Sequence, residues 1–111
     1  MDFEFSEIAE KDLNNILSYF TEKLYNKQAA KNFYQRVCDV IENIKSFPEM
    51  YELIINEYSE YKNIRRVPID NFNLYYAFDD QLDKVTIIRI IYAHYNSESI
   101  LNDTNIGSYE D

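Results

Sequence analysis

Glycine is almost missing from this chain: there is one in 111 residues, Gly107. Loops that cradle phosphate rely on glycine for close backbone approach, so P-loop and dinucleotide-binding readings have nowhere to sit. The single cysteine forms no internal disulfide, and together with the single histidine it does not complete a Cys/His zinc cage. No metal or other cofactor is expected. Positive charge is also scarce, with 11 Lys and Arg against 20 Asp and Glu and a formal net charge of -9. Such a surface repels polyanions over most of its area, which confines any RNA contact to a small local patch. No apolar run reaches bilayer-spanning length, and no basic, apolar leader opens the chain. A cytoplasmic location with no membrane partner is the expectation.

What remains is apolar and rich in tyrosine: 46% hydrophobic residues and eleven Tyr. At this length that supports one core, hence one domain, expected over residues 1–101, with an acidic, flexible tail at 102–111. Asp2 to Phe5 alternates polar and apolar as a short strand does, and Ser6 follows as a helix N-cap. Ala9, Leu13, Ile16, Leu17, Phe20 and Leu24 recur at helical spacing. After a polar break at Tyr25–Gln28, Ala30, Phe33, Val37, Ile41 and Ile44 repeat the stripe until Pro48 stops it. So short a join predicts an antiparallel helical hairpin.

Glu49 to Tyr61 has no clean period and reads as an irregular, solvated acidic connection. The period then changes to two. Asn63–Ile69 reads as a strand whose Pro68 implies an edge or an end. Phe72–Asp79 reads as a half-buried strand, turned by Asp79–Asp83. Val85–Ala93 is apolar on both faces apart from Arg89, as in a strand inside a sheet, and Arg89 should find a carboxylate or carbonyl partner. Ser97–Leu101 is compatible with a last helical turn. The fold class is α+β: an N-terminal strand and a helical hairpin packed on a mainly antiparallel sheet. Cys38, beside the second apolar stripe, reads as a small buried thiol, and Tyr75, Tyr76 and Tyr92 as core and rim packing.

Phe5-Ser6 with Ala9 and Asp12-Leu13, the second helix ending at Phe47-Pro48, Arg66, the Leu74-Tyr75-Tyr76 strand, then Val85, Ile88, Arg89 and Ile90 with Ile100-Leu101 occur in a fixed order. That order resembles the RelE/ParE superfamily of toxins from type II toxin-antitoxin modules. The long hairpin ending in Phe-Pro is most similar to the ParE branch, whose best-known members poison DNA gyrase. The resemblance implies growth inhibition, a role in plasmid stabilization, and neutralisation by a cognate antitoxin laid over sheet and hairpin. Arg65-Arg66, Leu74, Tyr76-Ala77, Asp79-Asp80 and His94-Tyr95 are similar to the YoeB-like branch, which cleaves mRNA on the ribosome. In that reading His94 is the general acid, Tyr95 a substrate contact, Glu52 or Glu57 the base, and Arg65 or Arg66 a phosphate anchor. Asn73 stands where those nucleases place an arginine. A protein-binding toxin, a ribosome-dependent endoribonuclease and an inactive relative are the three functional readings. Under the first, the arginine pair meets acidic groups of a partner. At most one of the two faces any given site, because neighbours alternate along a strand.

Overall fold

The computed structural model describes residues 1–54, 61 and 63–94. The expected last turn at Ser97–Leu101 and the tail at 102–111 lie outside the described residues. Strand β1 (Asp2–Phe5) leads into helix α1 (Glu7–Ser18), and α2 (Lys27–Ser46) is followed by β2 (Glu52–Leu53), β3 (Ile64–Ile69), β4 (Phe72–Asp79) and β5 (Lys84–Tyr92). The sheet order is β1-β5-β4-β3-β2. Strands β2 to β5 pair antiparallel in sequence, while β1 returns beside β5 in parallel. The fold is therefore the expected α+β arrangement.

The first helix departs from its expected continuous run to Leu24. A wide π turn spans Tyr19–Lys23, where the Thr21 hydroxyl donates to the Leu17 carbonyl at 3.2 Å. Such back-bonding to a carbonyl four residues earlier competes with the helical ladder and loosens it. Asn26 then caps α2 through its side chain. The helix ends at Ser46, because Pro48 disfavours helical geometry in the residue before it.

Both helices bury their stripes on one face of the sheet. Ala9, Ile16, Phe33, Val37 and Ile44 meet Val67, Ile69, Leu74, Tyr76, Val85, Ile87 and Ile90. Phe33 packs at a tilt against Phe20 at 5.9 Å and edge-on against Phe72 at 5.2 Å, tying the hairpin to the β3–β4 turn. On the opposite face Ile64, Tyr75, Ala77, Ile88 and Ile91 form a second buried cluster with Ile54 and Tyr61. Burial on both faces corrects the half-buried reading of β4: as the central strand of five, it is buried from Leu74 to Ala77. Glu52–Leu53 corrects the irregular reading of the preceding connection, since it adds a two-residue edge strand opposite Arg65 and Arg66. Pro68 lies past the end of that pairing, where its missing N–H costs no ladder bond.

The β4–β5 register slips by one: Tyr75 faces Arg89 but Tyr76 faces Ile87, so Ile88 is an extra residue. This bulge falls just past the last β1 pairing, at Ile87, where β5 would otherwise expose an unpaired edge. Helix α1 closes that edge with side chains. Ser6 donates its N–H to the Ile87 carbonyl and its hydroxyl to the Ile88 carbonyl, each at 2.9 Å, and the same hydroxyl caps the Ala9 N–H. Asp12 accepts the Ile90 N–H at 3.0 Å and both Nε and Nη2 of Arg89, at 2.7 and 2.9 Å. Arg89 is only 3% exposed.

Removing one member of a buried pair strands the other charge. Asp12→Ala should therefore cost about 3–5 kcal/mol in urea unfolding, whereas Arg36→Ala, which breaks the exposed pair with Asp70, should cost under about 1 kcal/mol.

Candidate functional site

The two arginines of β3 point to opposite faces, as strand alternation requires, yet both hold the same short segment. Arg65 donates through Nη1 to the carbonyls of Tyr51, at 2.8 Å, and Glu49, at 3.1 Å. Its Nη2 lies 3.9 Å from the Glu49 carboxylate. Its Nε is buried with no hydrogen-bond partner. Arg66 donates to the Glu52 carboxylate at 2.8 Å. That bond holds the Arg66 guanidinium above its ordinary pKa, against a smaller opposing effect of burial. The Tyr75 phenol, opposite Arg66 in the strand pairing, reaches toward that guanidinium without completing a well-formed hydrogen bond.

Glu49 and Glu52 are thus partnered, which corrects the reading of this stretch as a purely solvated acidic loop. A third tie reinforces it. The Tyr76 hydroxyl donates to the Pro48 carbonyl at 2.6 Å, and the Tyr51 ring stands edge-on to Tyr76 at 6.4 Å. Burial pushes the Tyr76 phenol up to about 12, the positive charge of Arg65 offsetting part of the shift.

His94 is exposed, two residues past the end of β5, with its ring 5.0 Å from that of Tyr92. Tyr92 in turn meets Phe72. In the strand register the Ile69–Phe72–Tyr92 row lies three residues along from Arg66–Tyr75–Arg89. At strand spacing that is about 10 Å along the sheet, with β4 between the arginines and β5. The described candidates therefore fall into two groups, Glu52 with Arg65 and Arg66 on one side and His94 on the other. Glu57 and Tyr95 lie outside the described residues. Asn73 is half-buried opposite Ile91. Cys38 is half-buried rather than buried and lines a groove of about 420 Å³ between the helices, with Leu13, Tyr34 and Ile41. Among the described residues no group of His, Cys, Asp or Glu is arranged to hold a metal ion, and no helix is long and apolar enough to cross a membrane.

Sequence reasoning did not assign Asp12 to Arg89 or Tyr76 to Pro48. The available signals were a carboxylate in the first helix and a tyrosine on the core face of a central strand.

Hairpin, meander and parallel first strand define a small α+β domain, and known proteins carry the same arrangement. One solved chain, of the chromosomal ParDE toxin-antitoxin system from P. aeruginosa, superposes with a TM-score of 0.64 over 85% of this chain and 97% of its own, at 16% identity. No curated protein matches. Residues 3–94 match the family described as ParE toxin of type II toxin-antitoxin system, parDE, and the chain belongs to that family.

Arg65 makes several charge-assisted bonds in partial burial. Arg65→Ala should cost about 2–3 kcal/mol, whereas Arg66→Ala should cost about 1 kcal/mol or less, both measured by thermal unfolding. Tyr76 gives a pH signature. Its folded form keeps the proton after the unfolded chain has lost it, so stability falls as pH rises from 10 toward 12. Tyr76→Phe should flatten that part of the alkaline stability profile while costing about 1 kcal/mol at neutral pH.

Proposed function

We propose that this ParE-family toxin arrests growth by binding a protein target, DNA gyrase being the target suggested by its branch, and that a cognate antitoxin neutralises it. The observation that carries this reading is the state of the two arginines. Phosphodiester cleavage by 2′-hydroxyl attack needs cations free to hold the phosphate and stabilise its developing charge. Arg65 is committed to backbone carbonyls and Arg66 to Glu52, one of the two candidate bases. The Glu52 carboxylate is itself occupied by that guanidinium, at 2.8 Å. Binding to a protein needs no such freed groups. It is also compatible with a net charge of -9 that opposes docking on ribosomal RNA.

The endoribonuclease reading would rest on His94, which is exposed and carried against Tyr92. Induced expression of the wild-type chain and of His94→Ala separates the two readings, with plasmid supercoiling and cellular mRNA followed in parallel. The expected result is arrest with disturbed supercoiling and intact mRNA, unchanged by the substitution. Cleaved mRNA that becomes intact in His94→Ala would overturn the gyrase reading in favour of the nuclease.

A further inference from the structure

The tip of the helical hairpin breaks three local rules at once. Among the described residues, four that are not glycine have positive φ: Tyr25, Asn63, Asp70 and Asp83. Three are Asn or Asp, whose short polar side chains tolerate the left-handed region. Tyr25, at φ 51°, is the exception, a bulky residue just past the C-cap Leu24, where glycine is the usual choice. The residue is 87% exposed, so core packing does not account for it. Tyr19 and Leu24 beside it are about half exposed.

The charges there are also misplaced for folding. Lys27 and Lys31 open α2 one turn apart, and the first turn holds no acidic residue, although the helix dipole disfavours cations at that end. Residues 19–31 carry Lys23, Lys27 and Lys31 against Glu22 alone, a basic island in a chain of net charge -9. Among the described cations, all four arginines, Lys45 and Lys84 hold ion pairs. Lys11, Lys23, Lys27 and Lys31, all on the hairpin, hold none. Positions where a chain accepts local cost with no return in packing are where function is to be sought.

From this we infer that the hairpin tip is the surface with which the toxin engages its target, Tyr25 being the aromatic anchor and Lys23, Lys27 and Lys31 the charges around it. The partner it fits is a protein surface with carboxylates around an apolar recess. A nucleic acid fits less well, because the remaining surface repels a long polyanion. An exposed tyrosine flanked in sequence by lysines has the make-up of an interface hot spot, with two rotatable angles to fix and a hydroxyl to bond. The inference rests on the protein-target reading above and adds the surface used.

Tyr25→Gly relieves the backbone strain while deleting the anchor. Its melting temperature should equal or exceed that of the wild type, while the dose needed for growth arrest should rise roughly thirtyfold, the loss expected of a central aromatic anchor. The triple variant K23E/K27E/K31E should lose arrest while remaining folded by circular dichroism. Tyr25→Gly that is stable and fully toxic would overturn the inference. So would wild-type binding to a 20-base-pair DNA duplex at about physiological salt that the triple variant abolishes, since the tip would then read nucleic acid. Supercoiling by purified DNA gyrase separates this inference from the gyrase reading. If the wild type arrests growth without inhibiting gyrase, gyrase is not the target, and the tip is judged on arrest alone. A wild-type chain that arrests nothing would overturn both.

Discussion

A strand edge closed by a carboxylate holds this molecule together. The first strand pairs with β5 only as far as Ile87, and beyond that point the edge of β5 is satisfied by Ser6 and Asp12 from the first helix. Asp12 accepts a backbone N–H and a two-pronged guanidinium at once, and Arg89 is buried behind it. Desolvating two charges is costly, and only near-complete hydrogen bonding offsets it. What the arrangement supplies is direction. It fixes the register of α1 against the bulged strand, and with it the angle at which the helical hairpin leaves the sheet.

The same economy governs the rest of the positive charge. With few cations available, the fold uses its arginines as internal ties: Arg36 to the β3–β4 turn, Arg65 and Arg66 to β2 and the loop before it, Arg89 to α1. A toxin of this family built on RNA chemistry would need some of those guanidinium groups turned toward solvent with their donors unspent. Among the described residues the cations without an ion pair are lysines, and they sit on the helical hairpin, far in sequence from the sheet residues a nuclease reading would recruit. Every arginine is thus tied within the fold, together with Lys45 and Lys84.

Much of the fold was legible because its signals are periodic. The apolar stripes of both helices, the stop at Pro48, the alternation in β3 and the two-faced apolar run of β5 each mark an element through spacing alone. Arg89 announced the need for a partner, but the partner lies 77 residues earlier, and no local pattern selects Asp12 over the other acidic residues. The two-residue β2 was illegible for a related reason: Glu52 and Leu53 have no strand period, and they pair where Arg66 grips Glu52 and Arg65 grips the Glu49 and Tyr51 carbonyls just before them. The burial of β4 on both faces was hidden because Asn73 and Asp79 imitate an exposed face at the ends of a strand that the sheet encloses in its middle. The candidate site was legible only as residue types. That Glu52 and Arg66 neutralise one another, with His94 set apart beyond the end of β5, follows from register and bulge rather than from any motif.

If α1 is locked to the sheet through Asp12, the Ile90 amide is a buried, structural donor rather than an edge group open to water. Native-state hydrogen exchange of that single amide tests the claim directly. The account predicts protection close to that of the central β4 amides, exchanging only through global unfolding. Rapid exchange of Ile90, as for an uncovered strand edge, would contradict it, and would mean that the hairpin is held to the sheet by apolar packing alone.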